Sequence, residues 1–87
     1  MKVVVIGLGS MGKRRIRLLK KYNSEIIIYG IDSNESRKKE VADLYDVKGC
    51  ENIEDAVKKG VSCAFVSASP LAHAKIIQSC LKNNLHV

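Results

Sequence analysis

Apolar residues come in short bursts, and stretches of helical spacing separate them along the whole chain. Lys2 to Ile6, "KVVVI", is rich in β-branched residues and shows no polar alternation, the pattern of a strand buried on both faces. From Ser10 to about Tyr22 the period lengthens. Met11, Leu18, Leu19 and Tyr22 recur at roughly helical spacing with Lys and Arg between them. Glu25 to Ile31, "EIIIYGI", is a second strand of the buried kind, and Asp32 closes it. Ser33 or Asn34 caps the next predicted helix, which runs to about Tyr45 with Val41, Ala42, Leu44 and Tyr45 inward. A short third strand fits Val47 to Cys50. Asn52 then caps a brief helix with Ile53, Ala56 and Val57 inward and Gly60 as its stop. Val61 to Ser67, "VSCAFVS", reads as the fourth strand. Pro70 suits the first turn of a last helix, where its missing N–H costs nothing, and Ile76, Ile77, Cys80 and Leu81 form the stripe of that helix. Asn83 and Asn84 break it, and Leu85 to Val87 begins a fifth strand.

Strands alternating with helices imply an α/β fold, a doubly wound parallel sheet with crossover helices. The expected sheet has about five strands in the order 3-2-1-4-5. At 87 residues the chain makes one domain, residues 1–87. A domain of this size buries only about 60% of its unfolded surface. Because the pattern stops inside an apparent strand, the expectation is a piece of something longer.

Chemistry enters at the first turn. "GLGSMG", Gly7 to Gly12, has the spacing G-x-G-x-x-G, directly after a strand and opening a helix. Each glycine has its own expected role. Gly7 makes the tight turn, Gly9 lets a pyrophosphate approach the backbone, and Gly12 lets the helix pack near the sheet. Free N–H groups around Ser10 and Met11 then face the phosphates, aided by the helix dipole. Asp32 lies 20 residues beyond Gly12, at the end of the second strand, where a carboxylate can accept from the adenosine ribose hydroxyls. The competing reading makes Asp32 a helix cap and the glycines ordinary turn formers. The agreement of acid and strand context favours a dinucleotide. The Asp32 charge opposes a 2′-phosphate and so favours NAD, while Arg37, Lys38 and Lys39 leave NADP open. Arg37 is also placed to stack on the adenine.

Composition narrows the picture. A hydrophobic content of 46% is ordinary for a globular chain and argues against disorder. No apolar run approaches the roughly 20 residues that span a bilayer, and no signal peptide is visible. The expected compartment is the cytoplasm, with no membrane partner. Cys50, Cys63 and Cys80 are odd in number and widely spaced, with no C-x-x-C pair for a metal. The net charge is +6, and seven of the 15 basic residues fall in the first 21 positions. Such a cluster suits an anionic small molecule, nucleic acid, a membrane surface or, most commonly, a solvated helix face. With 5% aromatic residues and no recognised motif, nucleic acid is the weakest of these.

Three stretches, "VVVIGLGSMGKRRIRLL", "GIDSNESRKKEVADLYDV" and "CAFVSASPLAHAKIIQSCLKNNLHV", together resemble the N-terminal domain of the Gfo/Idh/MocA (glucose–fructose oxidoreductase / inositol dehydrogenase) family. The resemblance implies a Rossmann domain that binds NAD or NADP. It implies a full-length enzyme that transfers hydride to or from a hydroxyl-bearing carbon of a sugar, sugar nucleotide or cyclitol. By resemblance Ser67, Ala68, Ser69 and Pro70 line the cofactor between its pyrophosphate and nicotinamide ends, and Leu71 approaches the nicotinamide ribose. Ser69 stands where the family has Thr more often, and Arg15 where it often has His. His73 matches the histidine of the family's loop, with a structural role favoured over a catalytic one. The family's catalytic Lys segment, substrate domain and oligomer interface all lie beyond Val87. The chain by itself is therefore expected to bind cofactor without turning over substrate. The alternative function is a non-catalytic module that binds a nucleotide or senses NAD(H).

Overall fold

The computed structural model describes residues 1–67 and 70–83, excepting the side chains of residues 70–74. Its elements run β1 (Lys2–Ile6), α1 (Ser10–Tyr22), β2 (Ile27–Ile31), α2 (Glu35–Tyr45), β3 (Lys48–Gly49), α3 (Ile53–Lys58), β4 (Cys63–Val66) and α4 (Pro70–Lys82). The strands form one parallel sheet in the order β3-β2-β1-β4. The sheet thus has four strands among the described residues, not five. The expected fifth strand, Leu85 to Val87, lies outside the described residues.

The apolar runs are explained by helices on both faces of the sheet. Val3 and Val5 point to one side, where they pack with Leu8, Ile16, Ile28, Val41 and Val47. Val4 and Ile6 point to the other, with Tyr29, Cys50, Ile53, Ala56, Val61, Ala64 and Cys80. A strand flanked by two cores cannot afford a polar face, which is why β1 shows no alternation.

Caps set the helix starts. The Asn34 side chain accepts from the Arg37 N–H at 3.1 Å, and that of Asn52 from the Asp55 N–H at 2.8 Å. Of the two expected caps for α2, Asn34 is the one used. Gly60 stops the α3 segment at φ +90°. The inward faces need correction. On α1 the buried residues are Gly12 and Ile16, while Met11, Leu18 and Tyr22 are exposed. Leu44, Val57 and Leu81 are exposed too. A glycine sits at the point of closest approach on α1, so the helix turns Gly12, Ile16 and the half-buried Leu19 toward the sheet.

The basic cluster is more engaged than a plain solvated face. Lys13, Arg17 and Lys20 recur at i, i+4 and i+7 and all reach toward α2 and its end. Lys13 pairs with Glu40, Arg17 donates to the Tyr45 hydroxyl at 3.3 Å, and Lys20 donates to the Asp46 carbonyl at 3.5 Å. Arg15 lies over the Phe65 ring, 5.4 Å from its centroid.

Candidate dinucleotide site

All four strands are parallel, so the loops that follow them gather at one edge of the sheet. Strand order reverses around β1, where β2 leaves on one side and β4 on the other. In open α/β sheets that switch point holds the ligand crevice. A cleft of about 590 Å³ lies there, lined by Ile6, Gly7 and Gly9 after β1, Ile31, Asp32 and Ser33 after β2, Arg37 of α2, and Ser67 after β4. Glu51, Asn52, Ile53 and Glu54 complete it from the β3–α3 connection, and Ile76 and Ser79 from α4.

The loop after β1 is held from both sides. The Gly7 N–H donates to the Ile31 carbonyl and the Ser67 N–H to the Ile6 carbonyl, each at 2.8 Å. Gly7 sits at φ +94°, a conformation that side chains other than glycine rarely adopt. Gly12 answers a different need. A Cβ added there would lie 2.0 Å from the Gly7 carbonyl oxygen, so α1 leans on the backbone of the loop. At Gly9 φ is −72°, and an added Cβ would meet only the Arg37 Nη1, 4.0 Å away. Glycine there keeps the backbone open to the cleft. Gly9 also offers no side chain to cap α1, so among the described residues no side chain caps the first-turn amides of Ser10 and Met11.

Asp32 is drawn into the loop more than its sequence position suggests. Its Oδ2 accepts from the Leu8 N–H and its Oδ1 from the Asn34 N–H, both at 2.8 Å. The side chain is only 7% exposed. It therefore fixes the loop after β1 and the start of α2 at once. Arg37, in the first turn of α2, holds its Nη1 3.8 Å from Asp32 Oδ2 and remains half exposed.

Of the residues expected at the site, Gly7, Gly9, Asp32, Arg37 and Ser67 converge on the cleft. Ser10 and Met11 are in the first turn of α1 with exposed side chains, and Gly12 is buried behind the loop. Ala68 and Ser69 lie outside the described residues, as do the side chains of Pro70, Leu71 and His73 at the start of α4. The sequence reading missed the Glu51–Glu54 segment. Its signal was present, since the loop after any strand of a parallel sheet opens on the same edge. Among the described residues no His, Cys, Asp and Glu cluster could hold a metal, and no helix is long and apolar enough to cross a membrane.

Near the cleft lies a small polar cluster. The Asp55 carboxylate accepts from Lys59 Nζ at 3.1 Å and from the Cys50 thiol at 3.4 Å. The lysine bond, above all, holds the Asp55 carboxyl below its usual range. Burial is the main reason that the Cys50 thiol is pushed up. Burial likewise raises Cys80.

Comparison with known proteins agrees with this geometry. The family model described as oxidoreductase family, NAD-binding Rossmann fold matches residues 1–87. Three solved structures share the fold. A prephenate dehydrogenase from A. aeolicus, in complex with hydroxyphenyl propionate and NAD+, superposes with a TM-score of 0.81 at 21% identity, over 92% of this chain and 28% of that one. The UDP-N-acetylglucosamine 3-dehydrogenase GnnA from Acidithiobacillus ferrooxidans gives 0.78 at 18% identity, over 99% and 28%. An oxidoreductase from Desulfitobacterium hafniense, described as NADPH-dependent, gives 0.83 at 17% identity, over 99% and 25%. The chain thus spans about a quarter of the length of each. No curated protein sequence matches it.

Proposed function

Because this chain belongs to the Gfo/Idh/MocA oxidoreductase family and carries its NAD-binding Rossmann fold, we propose that the cleft at the β1/β4 switch point holds the dinucleotide. The carrying observation is the open backbone at Gly9 beside the uncapped first turn of α1, with Asp32 at the end of β2 on the same cleft. In this reading the first-turn amides of Ser10 and Met11 meet the pyrophosphate. Asp32 accepts from the adenosine ribose with the lone pairs that its two amide partners leave over. Ser67, Ala68, Ser69, Pro70 and Leu71 run along the cofactor toward its nicotinamide end, and His73 steadies the start of α4. The bound nicotinamide supplies or accepts a hydride, and the protein's part is to bind and orient it.

The full-length protein then acts on a hydroxyl of a sugar, sugar nucleotide or cyclitol. Such chemistry needs a partner for the hydroxyl proton and a pocket for the substrate. In this reading both come from the rest of the full-length protein, and the 87-residue chain binds cofactor without turnover. One fold neighbour is a prephenate dehydrogenase and another a UDP-N-acetylglucosamine dehydrogenase. That difference agrees with substrate choice lying outside this domain. The full-length protein is a homo-oligomer in this reading, in the cytoplasm, with neither nucleic acid nor membrane as partner.

The test is a titration of the chain with NADH, followed by nicotinamide fluorescence and by calorimetry. Saturable one-to-one binding is expected. A chain that is folded by circular dichroism yet binds no NADH at millimolar concentration refutes the proposal.

A further inference from the structure

We propose that α1 and β4 form a seat for one further helix, apolar on its inner side and bearing carboxylates opposite Arg15, which the full-length protein supplies from its own chain. The inference rests on the reading of this chain as part of a longer protein and is independent of the dinucleotide site.

Strands of a parallel sheet are ordinarily buried on both faces. β4 is covered well on only one. Ala64 and Val66 pack into the core beneath α3 and α4. Cys63 and Phe65 turn to the face that carries α1 and α2, and both stay half-buried. Among the described residues the row of helices on that face ends at α1, which packs over β1. α1 turns a second apolar surface toward the same space. Arg15 marks the direction, because its guanidinium lies over the Phe65 ring, 5.4 Å from the centroid. Met11, Leu18 and Tyr22 stand at i−4, i+3 and i+7 from Arg15, so they share its side of the helix. They are 66%, 51% and 87% exposed. Lys13, Arg17 and Lys20 occupy the other side, engaged with α2. The stripe is thus a wall and β4 a floor. A helix laid in that corner, about 8–10 Å from α1, continues the layer.

Charge says what kind of helix fits. α1 contains no acid, and Arg14 and Arg15 make no ion pair among the described residues. A helix with Asp or Glu at the level of Arg15 would pair a guanidinium whose face is already stacked on Phe65. A second copy of the same stripe would instead set Arg15 against Arg15, a repulsion that disfavours pairing of two such chains through α1. This chain spans about a quarter of each fold neighbour, so a protein of that length has ample chain to supply the helix. Tethered to the domain it covers, such a helix meets the seat at high effective concentration.

The experiment places benzoylphenylalanine at Leu18 of the full-length protein, irradiates it, and sizes and maps the products by mass spectrometry. The expected product is an intrachain link to a helix beyond residue 87 that carries Asp or Glu on the linked side. A link between two copies, a link to another protein, or recovery of unlinked chain alone overturns the inference. An endogenous protein that ends at Val87 does so too. The second measurement is the rate at which Cys63, on the floor of the seat, is alkylated, read from its own peptide. It should be at least about tenfold slower in the full-length protein than in the 87-residue chain. Arg15→Glu should remove most of that protection, whereas Arg15→Lys, which keeps the charge, should retain most of it. In the 87-residue chain neither change should alter the Cys63 rate by more than about threefold. Equal rates in the two wild-type proteins overturn the inference, and so does protection that Arg15→Glu leaves intact. The NADH titration of the 87-residue chain reads none of these outcomes, so the seat and the dinucleotide site fail separately.

Discussion

Gly12→Ala sets two expectations against each other. By helix propensity alone, alanine in the first turn of α1 should gain up to about 1 kcal/mol over glycine. The packing argues otherwise. The new methyl would stand 2.0 Å from the Gly7 carbonyl oxygen and 3.0 Å from its carbon, both backbone atoms tied into the sheet. Relief requires α1 to retreat by at least about 1 Å, and the fully buried Ile16 moves with it. Overpacking of this kind costs about 1–3 kcal/mol and more when the backbone cannot yield. The net expectation is a loss of about 2–3 kcal/mol, a large share of the roughly 4–13 kcal/mol available to a domain of this size. Urea unfolding followed by far-ultraviolet circular dichroism reads it directly. With a slope of about 1 kcal/mol per molar urea, the midpoint should fall by about 2–3 M. Gly9→Ala is the control. Its φ suits alanine and its Cβ meets only the tip of Arg37, so it should cost under about 1 kcal/mol. A Gly12→Ala chain as stable as the wild type would refute the close packing of α1 on the loop.

Asp32→Asn should cost about 1–2 kcal/mol in the same urea assay, because an amide can accept from only one of the two N–H groups that the carboxylate now holds. An unchanged midpoint would mean that the clamp contributes nothing. The Asp55 carboxyl is held low by Lys59, so its contribution is present above the unfolded carboxylate pKa of about 4 and is lost as pH falls through the lower folded value. Asp55→Asn should therefore flatten the acid side of the stability profile below about pH 4, and an identical acid limb in both proteins would refute the pairing. Among the three thiols, the half-buried Cys63 should react first with a disulfide reagent, well ahead of the buried Cys50 and Cys80. Equal rates in the folded chain would contradict their burial.

Much of this was legible in the sequence because the signals were strong and local. β1 and β2 carry apolar runs that suit a sheet covered on both faces, and the glycine spacing marks the turn between β1 and α1. What misled was the assumption that large apolar residues mark the inner face of a helix. On α1 the inner face is built on Gly12, whose lack of a side chain is the reason for its burial, so hydrophobicity pointed to Met11, Leu18 and Tyr22 instead. Leu44, Val57 and Leu81 failed for a related reason, each standing one position from a residue that packs on the core, Tyr45, Ala56 and Cys80, and so turning outward. The place of Asp32 at the end of β2, on the cleft, was legible from its spacing. Its role as a clamp was not, because the Leu8 and Asn34 amides that it holds come together only in the fold. The engagement of Lys13, Arg17 and Lys20 with α2 was hidden for the same reason.

Leu8, a variable position within the glycine motif, is 1% exposed. It occupies the gap left in β2 by Gly30, where a Cβ would come within 3.0 Å of its Cδ1. Val47 closes the gap from the other side, at 3.1 Å from the same point. The middle of the proposed binding loop is thus a peg set into the sheet, and its amide is locked by Asp32. At Leu8 the loop is therefore expected to open together with the sheet. The Leu8 amide should exchange its hydrogen only when the whole sheet opens, as slowly as the centre of β1. On its β1–α1 side the proposed cleft would then meet the cofactor with a rigid rim, formed before the ligand arrives.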